Sequence, residues 1–299
     1  MNVLALLIVV ILGLLFGSFL NVCISRLPAH ESIVTPRSRC PHCGKQIRAW
    51  DNIPVVSWLL LNRRCRDCHA TISIRYPIVE IALTCLWVLC FYKSGPVPES
   101  PSATVLLVAS ATSCFFLLGL AVMDLETMRL PDSFTRPGTV LAILFAAVRM
   151  PEWLDATLPH PMFNLGTTPS NRLLFTQPHL AIHAVLLTGL SALLGAGLIL
   201  LIRWVYFVLR KQEGIGLGDA KLMAMIAAWQ GPVGGLLVFF LAVMGAALYS
   251  IFMLIVRQIS GDKGLSLSDR IPLGFFLCAA SLFSLFLGGS VIRWYTNFF

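Results

Sequence analysis

Asp219 ends the run Gly214-Ile215-Gly216-Leu217-Gly218-Asp219, and an apolar segment, Leu222 to Trp229, follows almost at once. A second acid, Asp124, closes the apolar run from Leu117 to Met123. A carboxylate at the mouth of a membrane segment is costly to keep there, so it marks function by default. If the two meet, both cannot ionise cheaply, and one keeps its proton. Such a pair takes a proton from water, polarises a scissile carbonyl and protonates the leaving amine. The glycines at 214, 216 and 218 give the backbone conformations closed to other residues, room for an extended peptide beside Asp219. The opposing reading makes each acid a helix-end group: Asp219 capping a helix near Ala220, Asp132 capping one after Pro131. Lys221 is then a lipid-surface anchor or the charge partner of an ionised aspartate. Glu126 and Asp132 compete for the catalytic role, but they lie two and eight residues beyond Asp124 and are expected to be better solvated.

Cysteines form the second constellation. Cys40-Pro41-His42-Cys43 and Cys65-Arg66-Asp67-Cys68 are Cys-x2-Cys pairs with 21 residues between them. Each pair points two thiolates at one place, and two pairs complete a tetrahedral four-sulfur zinc site. Four protein ligands close such a site, so its role is structural. Two disulfides are the alternative, which a reducing compartment disfavours. His42 and His69 are expected at the surface. Cys23, Cys85, Cys90, Cys114 and Cys278 lie in apolar segments and are expected as small buried hydrophobes.

These residues must be positioned by membrane helices. The chain has 299 residues, 57% hydrophobic and 12% charged, with mean hydropathy +0.83. A soluble domain carries about 25% charged residues. Apolar stretches near spanning length run over about 3–23, 77–92, 104–123, 137–150, 181–202, 233–256 and 272–292. The stretch 220–231 is too short to span alone, and the topology closes only if it crosses as a short or tilted helix. The expected fold is an all-α polytopic membrane protein of about eight transmembrane helices, with a small zinc-ribbon-like module between the first two. The N-terminus lacks the basic region and small-residue cleavage site of a removable signal.

Residues 25–75 hold nine of the basic side chains against three acids, most of the net charge of +8. The positive-inside rule places this loop in the cytoplasm, and counting spans puts 124–136 and 203–220 on the same side. The basic surface reads as contact with anionic membrane lipids. Charge confined to one loop argues against nucleic acid as a partner. Three parts follow: a first helix at 1–23, a cytoplasmic tetracysteine module at 24–76 and a helical bundle at 77–299. The outside loop at 151–180 carries five prolines and is expected to be an irregular connector.

In this setting the chain resembles the type IV prepilin peptidases, bifunctional leader peptidases and N-methyltransferases of bacterial inner membranes. The resemblance rests on Gly17-Ser18-Phe19-Leu20-Asn21-Val22 with Arg26-Leu27-Pro28, on both knuckles, and on Asn52-Ile53-Pro54-Val55-Val56-Ser57-Trp58. It continues through Arg75-Tyr76-Pro77-Ile78-Val79-Glu80, the segment from Asp124 to Asp132, and Glu213 to Leu222, in family order over most of the chain. It implies a G-x-G-D intramembrane aspartyl protease with Asp124 and Asp219 as the catalytic pair. It implies prepilin and type II secretion pseudopilin substrates: a short basic leader, a glycine before the cut and an apolar helix after it. It further implies cytoplasmic-side cleavage, then methylation of the new N-terminal residue by S-adenosylmethionine. No G-x-G-x-x-G turn marks a cofactor site. The methyltransferase candidates are therefore polar residues near the interface: Asn21, Arg26, Tyr76 and Glu80. Glu80 has an equal alternative as the ion-pair partner of Arg75 or Arg26. Two features depart from the family: Pro272-Leu273-Gly274-Phe275 replaces the usual Pro-Phe-Gly-Pro, and the loop at 151–180 is longer.

Other classes make different demands. A peptidase that had lost methylation would not need the cysteine module. A non-enzymatic assembly factor would use that module for docking and tolerate loss of both aspartates. A proton-coupled transporter would need charged residues deep in several spans, and few are present.

Overall fold

The computed structural model describes residues 3–94, 101–148, 178–212, 216–260 and 272–296. The proline-rich connector, up to residue 177, and Gly214 lie outside these. The described residues form helices α1 (Val3–Arg26), α2 (Val56–Leu60), α3 (Arg75–Ser94), α4 (Pro101–Thr127) and α5 (Asp132–Val148). Then follow α6 (Pro178–Arg210), α7 (Leu217–Ser260) and α8 (Leu273–Thr296). No strand is present among them, only two isolated bridges. Five helices are long and apolar enough to cross a membrane, and the chain is a multi-pass membrane protein.

The segment 220–231 proves to be a helix of its own. At Gly231 the backbone leaves the helical region, with φ 76° and ψ 177°, and Pro232 follows. Gly reaches that positive φ without a Cβ clash, and Pro cannot continue the ladder. A straight helix would separate Gly235 from Met223 by about 18 Å. Instead, a Cβ on Gly235 would stand 3.3 Å from the Met223 methyl and 3.3 Å from the Ala227 Cβ. The chain therefore doubles back at Gly231. The first limb, 217–230, is about 21 Å long, short of a hydrocarbon core of about 30 Å. With α7 counted as two, the described residues hold eight long helices.

The chain divides into two compact units, Met1–Gly119 and Leu120–Phe299. In the first, α1 lies against α3. Cβ atoms on Gly13 and Gly17 would come within 2.9 Å of the Thr84 Cα and 2.7 Å of the Glu80 Cα. Gly13-x3-Gly17 is the small-residue seam that lets membrane helices approach backbone to backbone. Phe16 and Phe19 pack on Phe115 of α4, and the Trp87 indole donates to the Ala111 carbonyl at 3.0 Å.

Between α1 and α3 lies a module built of turns. Of residues 27–74 only Pro28, Cys40, Pro54 and Ser57 are buried, so it has no hydrophobic core of its own. Two ion pairs cross it: Arg66 grips Asp51 at 2.6 and 2.9 Å, and Lys45 meets Asp67 at 3.0 Å. Arg66 holds the Asp51 carboxyl below the usual range.

The second unit packs α5, α6, α7 and α8 through small side chains. Its buried centre includes Ala142, Ala192 and Ala228. A Cβ on Gly195 would meet the Met223 carbonyl oxygen at 2.7 Å, so α6 and the first limb of α7 touch nearly backbone to backbone. Polar cross-links replace the hydrophobic drive that lipid does not supply. Ser191 donates to the Ala227 carbonyl at 2.6 Å, Trp229 to the Gly138 carbonyl at 3.1 Å, and Gln230 to the Ser281 carbonyl at 2.8 Å.

Candidate active site

Asp124 sits in the last turn of α4 and is 5% exposed. A helix C-terminus repels an anion, so this carboxylate needs donors from elsewhere. The first turn of α8 supplies them. The Phe275 N–H donates to the Asp124 Oδ2 at 2.8 Å, and the Gly274 N–H donates as well. Asp219 lies in the first turn of α7 and accepts the N–H of Gly216. The helix begins at Leu217, so Asp219 stands within its first turn instead of capping a helix near Ala220, and its bond back to Gly216 is the backward half of a capping box. The cap does not exhaust the residue: Asp219 also lies within Coulombic range of Asp124. The buried Cys278 thiol is within range of both acids. Three helix ends thus converge on two carboxylates, both inside membrane-spanning segments.

The neighbours of Asp219 hold it in place. A Cβ on Gly218 would press the Leu130 Cβ at 3.3 Å. Lys221 bonds the Asp132 carboxylate, which also takes Arg136 at 2.7 Å. Lys221 is therefore the partner of Asp132, and it holds that carboxyl below the usual range. Asp132 is exposed to solvent and ionised, as expected of a competitor outside the pair, and Glu126 is exposed too. The flexible-glycine expectation needs correction: among described glycines only Gly44 and Gly231 have positive φ. Gly218 acts by close approach to Leu130 and not by an unusual dihedral, and a Cβ on Gly216 would make only ordinary contact with Asp219 at 3.4 Å.

Gly274 and Phe275 lie in the turn that departs from the family's Pro-Phe-Gly-Pro, and their residue types do not mark them as donors. Backbone donors carry no side-chain signature. The signal was the glycine itself: a Cβ there would stand 2.8 Å from the Asp124 Oδ2 and 2.9 Å from its Cγ. Gly274→Ala is therefore expected to push this carboxylate off its donors. A displacement of about 1 Å in a reacting group costs about 100-fold in rate. Peptide cleavage should fall by that order with the melting temperature unchanged, a comparison that turnover and thermal unfolding in detergent make directly.

The four module cysteines meet. The Sγ atoms of Cys40, Cys43, Cys65 and Cys68 lie within 4.8 Å of one another, and Cys40 to Cys68 is 3.8 Å. A tetrahedron with zinc–sulfur bonds of about 2.3 Å has edges of about 3.8 Å, so the cluster fits zinc. The two knuckles repeat one geometry. Gly44 N–H bonds the Cys40 carbonyl at 2.9 Å, and His69 N–H bonds the Cys65 carbonyl at 3.0 Å, each residue at positive φ. His69 is thus a turn residue, and both histidines are exposed, as expected. All nine cysteines are free thiols. Of the other five, Cys85 is exposed rather than buried, on the outer face of α3.

Asn21, Arg26, Tyr76 and Glu80 line one cavity of about 770 Å3 between the module and the α1–α3 pair. Arg26 donates to the Ser32 and Pro36 carbonyls. Glu80 is 6% exposed; it accepts the Val55 N–H at 2.7 Å and the Ser18 hydroxyl.

Comparison with known proteins agrees with this anatomy. Residues 11–94 match the Bacterial Peptidase A24 N-terminal domain, and residues 111–251 match the Type IV leader peptidase family. The chain is 32% identical to a Prepilin leader peptidase/N-methyltransferase of Burkholderia pseudomallei (strain K96243), over 93% of this chain and 84% of that one. It is 30% identical to one of Stutzerimonas stutzeri (96% and 92% covered) and 31% to one of Aeromonas hydrophila (97% and 94%). No solved structure matches significantly. With two family profiles matched in order and relatives at least 30% identical over more than nine-tenths of its length, the chain belongs to the type IV leader peptidase family.

Proposed function

We propose that this protein removes the basic leader of type IV prepilins and type II secretion pseudopilins, then N-methylates the new N-terminal residue. The convergence of Asp124 and Asp219 at three helix ends is the observation that carries the reading. The two acids share one proton. The ionised member takes a proton from water as the water attacks the scissile carbonyl. The protonated member hydrogen-bonds the carbonyl oxygen and later protonates the leaving amine. The backbone N–H groups of Gly274 and Phe275 keep Asp124 fixed through both steps.

In this reading the helix at 1–23 and the module at 24–76 serve methyl transfer together with Glu80 of α3, and the rest of the bundle at 77–299 houses the protease. The protein resides in the bacterial inner membrane, with the module and the aspartates facing the cytoplasm. The excess of basic side chains in residues 25–75 supports that side, where anionic membrane lipids meet it. Cys40, Cys43, Cys65 and Cys68 hold a structural zinc. S-adenosylmethionine supplies an electrophilic methyl group when bound. The cavity beside the module has room for it, being within the usual 300–1,000 Å3 of small-molecule sites. Its module wall carries polar side chains, Ser38, Gln46 and Thr71 among them, that suit so hydrophilic a molecule.

The test is purified protein in detergent with a prepilin and isotopically labelled S-adenosylmethionine, read by mass spectrometry. The expected product lacks the leader and gains about 14 Da, one methyl group. Cleavage without the mass gain would leave a peptidase alone, and an intact leader would remove the whole assignment.

A further inference from the structure

The module cavity has two kinds of wall. One is the polar module, whose aspartates are already paired: Asp51 is held by Arg66 and Asp67 by Lys45. The other is the α1–α3 seam, inside the membrane spans. There Gly17 brings α1 against the Glu80 backbone, and Asn21, one turn on, donates from its Nδ2 to the Tyr76 carbonyl at 3.0 Å.

That bond fixes the Asn21 amide, since a flip would set two carbonyl oxygens face to face. Its Oδ1 is left buried with no donor, in a side chain 2% exposed. An unmet buried acceptor is costly, so it favours a ligand that donates to it. Glu80 stands on the same wall, and its partners, the Val55 N–H and the Ser18 hydroxyl, are both neutral. Val55 holds that N–H in place at φ 60° and ψ −50°, a region β-branched residues avoid. A buried carboxyl group with neutral partners and an orphan acceptor together describe a receptor for a small cation with several N–H donors.

We propose that Asn21 and Glu80 bind an α-ammonium group, that of the chain end freed by leader removal, and present it for methylation. The inference rests on the methyl-transfer reading above. An α-ammonium group can come from the chain end or from the amino-acid part of the methyl donor. Position favours the chain end. It leads into an apolar helix and arrives from the membrane, where this wall lies, whereas the hydrophilic donor suits the module side. Glu80 takes one proton from the ammonium. The freed lone pair forms the nitrogen–carbon bond as the carbon–sulfur bond breaks, its electrons staying on sulfur. The product is a secondary ammonium, balanced by a neutral thioether.

The test is binding, without methyl donor, of a fluorescent peptide with a free α-amine before an apolar helix, and of its Nα-acetylated twin. Full-length protein in detergent is read by fluorescence anisotropy. The free amine should bind about tenfold tighter, a difference near 1.4 kcal/mol. Glu80→Gln keeps an oxygen for the Val55 N–H and should erase that ratio while leaving the acetylated peptide's affinity unchanged. Asn21→Leu should lower the ratio several-fold, so the inference does not depend on one variant folding. Equal binding of the twins to wild type, or a ratio that survives Glu80→Gln, overturns it. If Glu80→Gln instead weakens only S-adenosylhomocysteine, the ammonium is the donor's, and the chain-end assignment falls. Methyl transfer to the same peptide is measured in parallel with wild type. Its complete absence counts against the methyltransferase reading and is distinguishable from a missing amine preference.

Discussion

Asp124→Asn and Asp219→Asn are each expected to slow leader removal by about 1,000-fold, the scale of positioned acid/base catalysis. Asparagine keeps the size of aspartate and an oxygen that accepts the Gly274 and Phe275 N–H groups, or the Gly216 N–H. Helix ends tolerate it well. What it cannot do is exchange a proton, so the loss falls on chemistry rather than folding. Asp132→Asn is the internal comparison. It breaks an exposed pair with Lys221 and Arg136, worth about 0–1 kcal/mol, and cleavage should stay within a few-fold of wild type. Initial rates on a prepilin, beside thermal unfolding of each variant, decide the matter. If cleavage persists in either of the first two variants, that carboxylate is outside the chemistry. A shared proton also predicts a bell-shaped pH–rate profile whose limbs belong to the pair, not to either residue.

The two constellations were legible in the sequence for different reasons. In a chain with 12% charged residues, a carboxylate closing an apolar run stands out from its background. Cys-x2-Cys is a local geometry, complete within four residues, so its spacing predicts its fold. Features that depend on remote partners were not legible. The donors to Asp124 are backbone groups 150 and 151 residues away, and no side chain announces them. Lys221 was left between two roles because its partner, Asp132, lies 89 residues upstream. The break at Gln230-Gly231-Pro232 is legible in the sequence, but the doubling back of the chain rests on the backbone angles of Gly231, which no residue type announces. Gly13 and Gly17 were readable as a small-x3-small seam, but only the structure shows that the seam sets the spacing of the cavity wall.

Metal removal is the change with the largest expected structural effect. Residues 27–74 have four buried side chains, one of them a zinc-ligand cysteine, so hydrophobic burial does not hold this module. Of its two cross-ties, the exposed Lys45–Asp67 pair is worth little in water, and the bidentate Arg66–Asp51 pair is a single contact across the whole segment 27–74. Zinc in comparable tetracysteine sites contributes about 10–16 kcal/mol of binding free energy, which is folding free energy when no other core exists. Chelation, or Cys40→Ser, is therefore expected to unfold the module, with limited proteolysis moving to the 27–74 segment. Methyl transfer should fall below detection, because Asn21 and Glu80 lose the opposite wall of their cavity and the Val55 donor. Asp124, Asp219 and the N–H groups of Gly216, Gly274 and Phe275 that hold them all belong to the second unit, so leader removal should retain a substantial fraction of its rate. Mild acid should mimic chelation, since thiolate ligands must stay deprotonated to hold the ion. Proteolysis unchanged by a chelator would mean that the metal is not what holds the module. Equal loss of both activities would tie the module to the protease, and the division of labour between the two units would have to be abandoned.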